Sequence, residues 1–256
     1  MPGGRKSEPV TLVFEDPAAL HAAAAERIAR EGKRAVFERG RFLLILTGGS
    51  TVKPVYERLA EEPWRSEIAW DALDVFFTDE RCVPPDHPDS NFGMASAALL
   101  DRVPVPCERI HRMRGEDPNH ERSAIAYEHR IRTALDLARG EPPHFDLILL
   151  GLGPDAHVAS LFPGDPQASV EDRLVIAVEH AVDPPPRVDR ISLTAPALNG
   201  GRATLFVASG GGKAAAVKAV LEGPPDPERY PAQRIDPLLA PPVWLLDGPA
   251  AGDLAR

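Results

Sequence analysis

A short apolar run, Phe145–Leu150, leads directly into the glycine-rich stretch GLGPDAHVASLFPG, which occupies Gly151–Gly164. A continuous apolar run of this length before a glycine turn is typical of a parallel strand that is buried on both faces. Because ligands of open α/β sheets bind where such strands end, the stretch predicts a site at the carboxyl edge of a sheet. It contains Asp155 and His157, and histidine changes charge near neutral pH, so a site for acid–base chemistry is the first interpretation.

Strand-like and helix-like patterns alternate along the rest of the chain, which favours a parallel α/β architecture. The predicted strands are Val10–Phe14, Phe42–Leu46, Leu73–Phe77, Phe145–Leu150, Leu174–Val178, Arg190–Leu193, Thr204–Ala208 and Val243–Leu246. The predicted helices run from Pro17 to about Arg39, from behind Thr51 to about Ala60, from Ser90 to Leu100, from Asp117 to about Ala138 and from Ala214 to Leu221. Asp16 is expected to cap the first helix, and Pro17 suits its first position. We expect one domain over residues 10–256 behind a tail over residues 1–9.

The chain of 256 residues carries a formal net charge of −9 and has no long basic run, which argues against nucleic-acid and membrane-surface partners. Its N-terminus lacks the apolar core of a secretion signal, and no span approaches the ~20 apolar residues that a membrane helix needs. The two cysteines, Cys82 and Cys107, have neither CxxC nor metal-ligand spacing, as is usual in a reducing compartment. These features predict a cytoplasmic protein.

Two other predicted strands end in glycine-rich loops that suit a phosphate group. In LTGGST, free backbone N–H groups combine with hydroxyls at a predicted helix start, over Gly48, Gly49, Ser50 and Thr51. A plain tight turn with a helix cap is the alternative there. SGGGK is a flexible loop whose single cation, Lys213, suits a monophosphate, and a glycine hinge beside a solvated lysine is an equal alternative.

Charged residues follow the predicted strand Leu73–Phe77, in the segment TDER. Asp79 and Glu80 could orient a substrate hydroxyl or a histidine, and Arg81 could hold a developing oxyanion. A surface salt-bridge cluster is an equal alternative. Arg190, at the start of RISLT, could add a bidentate fork for phosphate or be an ordinary surface arginine.

No cofactor or metal is expected from the motifs. The pattern G-x-G-x-x-[G/A] of a dinucleotide site is met by Gly151, Gly153 and Ala156. However, the acid at Glu171 precedes the next predicted strand instead of closing it, and Pro154 crowds the turn, so neither NAD nor FAD is expected. SGGGK lacks the first glycine and the hydroxyl of a Walker A loop, and no histidine or carboxylate pair has the complete spacing of a metal site.

Taken in order, six segments of the chain resemble the 6-phosphogluconolactonases. The segments span roughly residues 42 to 221 in the family's order and spacing, and they read LTGGST, FFTDERCVPPDHPDSNFGMA, LILLGLGPDAHVASLFPG, RISLT, LNGG and VASGGGKAAAVKAV. The resemblance implies a modified Rossmann-like, mostly parallel sheet, shared with glucosamine-6-phosphate deaminases, ribose-5-phosphate isomerases and coenzyme A transferases. It also implies hydrolysis of 6-phospho-D-glucono-1,5-lactone to 6-phosphogluconate in the oxidative pentose phosphate pathway, without a metal or organic cofactor.

The resemblance places the family's catalytic histidine on His157, which is expected to deprotonate the water that attacks the lactone carbonyl. The other expected catalytic residues are Asp155, Arg81 and Asp79. The residues expected to bind the phosphate of this small sugar lactone are Gly48, Gly49, Ser50, Thr51, Arg190 and Lys213. One position departs from the family, which usually has glycine where this chain has Ala156, and a Cβ makes a positive φ costly.

Two other functions compete with lactone hydrolysis. Sugar-phosphate deaminases and isomerases share the fold, but the deaminases carry a catalytic glutamate where this chain has Ser160, Leu161, Phe162 and Pro163. A non-catalytic sugar-phosphate sensor would usually carry a helix-turn-helix segment for DNA. Only about nine residues precede the first predicted strand and the protein is acidic, so the sensor is disfavoured.

Overall fold

The computed structural model describes residues 8–138, 140–180 and 184–255, so residues 1–7 of the predicted tail lie outside the described residues. The described strands are β1 (Val10–Phe14), β2 (Phe42–Leu46), β3 (Leu73–Phe77), β4 (Asp79–Arg81), β5 (Leu147–Leu150), β6 (Val175–Val178), β7 (Arg190–Leu193), β8 (Thr204–Ala208) and β9 (Val243–Asp247). The described α-helices are α1 (Pro17–Arg39), α2 (Lys53–Leu59), α3 (Trp64–Glu67), α4 (Asn91–Ala98), α5 (His120–Leu135), α6 (Ala195–Leu198) and α7 (Ala214–Leu221). Short 3₁₀ turns cover Trp70–Ala72, Leu100–Arg102, Cys107–Arg109, Pro166–Ser169, Gly211–Lys213 and Pro231–Arg234. Within these ranges, every helix is too short or too polar to cross a bilayer.

Six strands form one parallel sheet in the order β1-β9-β8-β5-β2-β3. The chain moves outward from β2 to β3 and then returns to place β5 on the other side of β2. The order of the strands therefore reverses between β2 and β5, which is where open α/β sheets bind their ligands. The predicted α/β fold with a mostly parallel, helix-flanked sheet is confirmed.

The central strands are buried on both faces, and their side chains alternate between two apolar layers. In β5, Ile148 and Leu150 pack in the layer that includes side chains of α5 and α7, whereas Leu147 and Leu149 pack in the layer that includes side chains of α1, α2 and α4. This alternation follows from the period of two residues in an extended strand. It explains why the central strands are continuously apolar in sequence.

Helix boundaries follow the local capping signals in most cases. The Asp16 carboxylate accepts a 2.8 Å hydrogen bond from the N–H of Ala19 at the start of α1, and Gly40 ends that helix with a φ of +72°. The prediction for α5 was wrong at both ends. Its cap is Asn119, whose side chain accepts from the N–H of Arg122, and the left-handed Asp136 ends it, so the helix is shorter than the predicted span from Asp117 to Ala138.

A second, three-stranded antiparallel sheet has the order β4-β7-β6. The strands β6 and β7 were predicted from sequence, but no strand was predicted over the residues of β4. Thr78 connects the two sheets, because its N–H donates to the carbonyl of Leu46 and its own carbonyl accepts from the N–H of Leu193, both at 2.8 Å. The segment after β3 is thereby held as a strand at the carboxyl edge of the parallel sheet.

Candidate active site

Four neighbouring strands of the parallel sheet, β8, β5, β2 and β3, end at the same edge. The segments that follow them surround a cleft of about 170 Å³. It is lined by Thr47, Gly48, Gly49, Ser50, Thr51, Val52, Asp79, Arg81, Asn91, Gly151, Leu152, Gly153, His157, Ala159 and Lys213. Nearly all the site residues expected from sequence are therefore brought together, although they are spread over more than half of the chain.

The imidazole of His157 pairs with the carboxylate of Asp155, with 2.6 Å between Nδ1 and Oδ1. Burial alone would raise the pKa of Asp155, but the hydrogen bond and charge of His157 bring it below its ordinary value. The carboxylate is therefore ionised at neutral pH and accepts a hydrogen bond from Nδ1–H. This tautomer leaves the lone pair of His157 on Nε2, so a neutral His157 can act as a base.

Gly153 provides the space in which this pair lies. A Cβ at Gly153 would come within 2.1 Å of His157 Nδ1 and 2.4 Å of Asp155 Oδ1. Its backbone N–H also donates a 2.9 Å hydrogen bond to the carbonyl of His157. Gly153 was predicted to match a dinucleotide fingerprint and the family segment, whereas its contacts in the fold are with the acid–base pair.

Ala156, between the two paired residues, has a φ of +66° and is fully buried. This is the left-handed conformation that a glycine adopts at little cost, so the geometry suits the residue usual in the resembling family. The loop nevertheless closes around alanine. The N–H of Ala156 donates to the carbonyl of Gly153 at 3.0 Å, and its carbonyl accepts from the N–H of Ala232 at 3.1 Å.

Phe162, which was not predicted as a site residue, lies beside the imidazole of His157. Its ring lies 4.9 Å from the ring of His157, centroid to centroid, and is stacked at 4.1 Å on the ring of His180. The imidazole of His157 is thus restrained at Nδ1 by the carboxylate of Asp155 and on another side by the ring of Phe162. The only sequence signal for this role was the position of Phe162 within the same loop.

Asp79 is buried at the base of the cleft, with hydrogen bonds to both carboxylate oxygens. Oδ1 accepts from Thr78 Oγ1 and Oδ2 accepts from Ser160 Oγ, each at 2.7 Å. The carboxylate partner of His157 is Asp155, so Asp79 is not the residue that orients the imidazole. Instead, Asp79 connects β4 to the loop that carries His157.

Glu80 is not among the residues that line the cleft, and its carboxylate binds the first turn of α4, whose cap is Ser90. Its carboxylate accepts hydrogen bonds of 2.7 Å from the N–H of Asn91, 2.8 Å from the N–H of Phe92 and 3.0 Å from Ser90 Oγ. Burial raises the pKa of Glu80 above its ordinary value, although these hydrogen bonds act in the opposite direction. An anion at a helix N-terminus stabilises the helix, so Glu80 stabilises the first turn of α4, which carries Asn91 into the cleft lining.

Asn91, which was not predicted as a site residue, is fixed by this arrangement. Its Nδ2 donates a 2.9 Å hydrogen bond to the carbonyl of Asp79, while its buried Oδ1 has no hydrogen-bond partner among the described residues. A Cβ at Gly48 would come within 1.8 Å of that oxygen. Gly48 is therefore required for the close approach of the LTGGST loop to the amide of Asn91.

Two cationic side chains line the cleft. Arg81 donates from Nη1 to the carbonyl of Asp89 at 2.7 Å, and its buried Nε has no hydrogen-bond partner among the described residues. Lys213 is half-buried and, within the described ranges, makes no ion pair. Burial lowers the pKa of Lys213, and the charge of Asp155 partly offsets that effect. Both groups can donate to an anion in the cleft.

The loop that carries Lys213 is anchored by Asp247 at the end of β9. The Asp247 carboxylate accepts hydrogen bonds of 2.5 Å from Ser209 Oγ and 3.0 Å from the N–H of Gly210. Burial would raise the pKa of Asp247, but these hydrogen bonds bring it below its ordinary value. The SGGGK loop is thus held against the sheet at its first two residues, while Lys213 reaches the cleft.

Arg190 lies outside the cleft lining. Only 3% of its surface is exposed, and its guanidinium donates to the carbonyls of Pro186, at 2.6 Å, and Val188. It lies opposite Arg81 in the register of β4 and β7. Burial and then the charge of Arg81 lower the pKa of Arg190.

Among the described residues, no group of three or more His, Cys, Asp or Glu side chains is arranged to hold a metal ion.

Comparisons with known proteins agree on the family. The model of the family described as glucosamine-6-phosphate isomerases/6-phosphogluconolactonase matches residues 15–244. The 6-phosphogluconolactonase of a Nostoc species is 40% identical over 243 residues, which are 95% of this chain and 97% of that protein. The solved 6-phosphogluconolactonase from Trypanosoma cruzi is similar with a TM-score of 0.86 and 28% identity, covering 98% of each chain. The one from Thermotoga maritima has a TM-score of 0.80 and 31% identity, covering 94% of this chain and all of its own. The chain belongs to the family of glucosamine-6-phosphate isomerases and 6-phosphogluconolactonases.

Proposed function

We propose that this chain hydrolyses 6-phospho-D-glucono-1,5-lactone to 6-phosphogluconate, a step of the oxidative pentose phosphate pathway. Two relatives about as long as this chain, each 40% identical to it, are named 6-phosphogluconolactonases. The observation that carries the proposal is the 2.6 Å pair of His157 and Asp155 at a cleft that also holds Lys213 and Arg81. A base, an oxyanion donor and a phosphate ligand are what hydrolysis of a phosphorylated lactone needs.

The reaction begins with neutral His157 accepting a proton from water at Nε2. The water oxygen forms a bond to the lactone carbonyl carbon as this proton leaves it. Asp155 holds the ring in the required tautomer and stabilises the imidazolium that results, as the carboxylate does in a Ser-His-Asp triad. A lactone is an activated ester, so no covalent enzyme intermediate is required.

The negative charge then develops on the carbonyl oxygen. Arg81 can donate to that oxygen, because its buried Nε has no hydrogen-bond partner among the described residues. A preorganised donor of this kind is worth most where water is excluded. The tetrahedral intermediate collapses when the bond from the carbonyl carbon to the ring oxygen breaks, and His157 returns its proton to that oxygen.

The phosphate is assigned to the part of the cleft lined by Lys213 and the LTGGST loop. Lys213 provides the cation, and the backbone and hydroxyls of Gly48, Gly49, Ser50 and Thr51 provide further donors. The guanidinium of Arg190 donates to backbone carbonyls and lies on the strand next to Arg81. In this proposal it contributes positive electrostatic potential and does not contact the phosphate. Binding a group remote from the reacting carbon fixes the lactone relative to His157.

The family also includes glucosamine-6-phosphate isomerases, which makes deamination the alternative reaction. The residues where deaminases carry a catalytic glutamate are Ser160 to Pro163 in this chain, and Ser160 is hydrogen-bonded to Asp79. Among the described residues that line the cleft, the one carboxylate is that of Asp79, which already accepts two hydrogen bonds. These features support hydrolysis over deamination.

The partner of the proposed enzyme is a small phosphorylated lactone, with no nucleic-acid partner. Cys82 and Cys107 are both free thiols, which supports a reducing, cytoplasmic location. We also keep the expectation of one domain over residues 10–256.

The test generates the lactone in situ with glucose-6-phosphate dehydrogenase and follows its opening by ³¹P NMR with and without this protein. We expect acceleration over spontaneous opening, loss of most of it in His157→Ala, and little change in His129→Ala, which removes an exposed histidine of α5. Opening at the spontaneous rate would reject the proposal. Release of ammonia from glucosamine 6-phosphate would favour the deaminase.

A further inference from the structure

A second cavity, of about 570 Å³, lies beside α5 and is lined by four arginines. They are Arg112, Arg114, Arg122 and Arg130. In the described part of the chain, this cavity and the active-site cleft have no lining residue in common. A concentration of guanidinium groups in one concave site is unexpected in a protein with a net charge of −9. We call it the arginine pocket.

Two of the four arginines are neutralised by carboxylates of neighbouring residues. Arg112 forms a bidentate pair with Glu116, at 2.6 and 2.9 Å, and Arg122 forms one with Asp117 whose closest distance is 2.7 Å. These hydrogen bonds lower the pKa of both carboxyls, and the charge of Arg114 lowers them further. The four arginines and two carboxylates together leave a surplus of positive charge.

Arg114 and Arg130 provide that surplus. The side chain of Arg114 makes no hydrogen bond or ion pair within residues 8–138, 140–180 and 184–255. Its backbone is fixed, because its carbonyl accepts a 2.8 Å hydrogen bond from Ser123 Oγ. Arg130 makes one side-chain hydrogen bond, from Nε, so its two terminal nitrogens have no partner among the described residues.

Arg130 is held in place by a buried histidine. Its Nε donates a 2.9 Å hydrogen bond to His111 Nδ1, and His111 Nε2 lies 3.0 Å from Asp74 Oδ1. Arginine can only donate and a carboxylate can only accept, so His111 is the tautomer that accepts at Nδ1 and donates from Nε2. The ring of His111 is also stacked on Phe76, with 4.4 Å between centroids. This chain of contacts orients the guanidinium with its two terminal nitrogens unused.

The chemistry of these groups selects the ligand. Two guanidinium groups with free N–H donors match the oxygens of a phosphate dianion, which arginine recognises with planar, bidentate geometry. The cavity is larger than a phosphate ion, lies in the usual range for small-molecule sites, and is also lined by Ile110 and Tyr127. We propose that the arginine pocket binds the phosphate group of a small phosphorylated metabolite, at a site separate from the active-site cleft. The proposal does not depend on the proposed function.

The test is a ¹H–¹⁵N NMR titration of the full chain with inorganic phosphate and, separately, with ribose 5-phosphate. We expect saturable shifts in the amides of residues 110–130, independent of those in the cleft loops, and tighter binding of the sugar phosphate than of the ion. Equal affinity for the two would reduce the pocket to an ion site and overturn the metabolite assignment. The absence of saturable shifts in residues 110–130 would overturn the site itself.

Variants separate a built site from general electrostatic attraction. Arg130→Ala and Arg114→Ala should each weaken binding at the arginine pocket by about tenfold or more, because each removes charged hydrogen bonds. Arg130→Lys keeps the charge but loses the bond to His111 and the fork, so it should also weaken binding severalfold. The matched control is Arg30→Ala, which removes an equal charge from an exposed position of α1. If Arg30→Ala weakens binding as much as Arg130→Ala, or if Arg130→Lys binds like the parent, the proposal is wrong.

Discussion

The hydroxyl of Ser160 donates a 2.7 Å hydrogen bond to Asp79 Oδ2, joining two residues that are 81 positions apart in the chain. The backbone N–H of Ser160 also donates to Ser192 Oγ at 3.1 Å. Both contacts are buried. The loop that carries His157 is thereby attached to β4 and β7 of the small sheet, so the position of the base depends on contacts made by a second layer of structure.

Replacing Ser160 with alanine tests this attachment. The change leaves a buried carboxylate oxygen of Asp79 without its donor, which we expect to lower the free energy of unfolding by about 1–3 kcal/mol in urea denaturation. The lactonase kcat should fall as well, because the loop loses a restraint. Ser96→Ala is the matched control, since it removes a 2.9 Å serine–aspartate bond at the surface, and its effect should stay within about 0.5 kcal/mol. Equal losses in the two variants would contradict the buried role.

Asp155→Asn tests the role of the carboxylate next to His157. The amide has no charge to stabilise an imidazolium and can impose the wrong tautomer, so kcat should fall by about 10²–10⁴, with a smaller effect on KM. Asp165→Asn, just after the loop, where the carboxylate caps the turn Pro166–Ser169 by accepting from the N–H of Gln167, should keep most of kcat. A normal kcat in Asp155→Asn would show that Asp155 only holds the loop.

Gly153→Ala should disrupt the pair sterically. Its Cβ would lie 2.1 Å from His157 Nδ1, so the imidazole or the loop must move, and both kcat and stability should decrease. Gly151→Ala is the matched control, because a Cβ there meets no atom within 4 Å and its φ is not in the left-handed region. The melting temperatures of the two variants should differ by several degrees. Similar melting temperatures would argue that the loop adapts freely.

Ala156 should show two opposing effects when it is changed to glycine. Relief of its left-handed conformation is worth about 1–2 kcal/mol. Loss of a buried methyl and greater freedom of the unfolded chain remove most of that gain, so Ala156→Gly should lie within about 1 kcal/mol of the parent. Ala159→Gly, at a φ of +50° but only partly buried, should gain more. Ala156→Val should be clearly destabilised in the same denaturation assay, and a stable valine variant would exclude this account.

Product binding should depend on the charge of Lys213 at alkaline pH. Burial lowers the pKa of Lys213 below 10.5, so the ammonium is lost as pH rises through the folded-state value. The dissociation constant of 6-phosphogluconate should therefore increase before pH 10.5 is reached, while the phosphate remains a dianion throughout. Without ligand, the unfolded chain binds more protons than the folded protein between the lowered pKa of Lys213 and 10.5. The contribution of Lys213 to the free energy of unfolding therefore increases with pH in that range.

Calorimetric titrations at several pH values measure this effect. Lys213→Arg should keep its affinity to higher pH, because a guanidinium stays protonated. Lys218→Ala, which does not line the cleft and whose ammonium donates to the carbonyl of Asp253, should follow the parent profile. A constant affinity up to pH 10.5 would exclude Lys213 as the phosphate cation.

Much of this molecule could be predicted from local sequence patterns. The apolar runs of the central strands, the Asp16 cap of α1 and the glycine-rich loops are determined by period, capping chemistry and turn geometry within a few residues. The pairing of Asp155 and His157 is equally local, since the two are separated by one residue. The parallel order of the strands then accounts for the convergence of several loops at one edge.

The remaining features depend on partners that are distant in the chain. The three-residue strand β4 is too short to show a period, and it forms because β7 pairs with it from more than 100 residues away. Arg190 resembles a phosphate ligand in sequence, yet the fold turns its donors towards the carbonyls of Pro186 and Val188. Local causes account for every described strand except β4, for the glycine-rich loops and for the proximity of Asp155 to His157, because each depends on residues that are close in the chain. Which donors face the cleft depends on the packed fold, because burial and long-range hydrogen bonds arise when separate segments pack together.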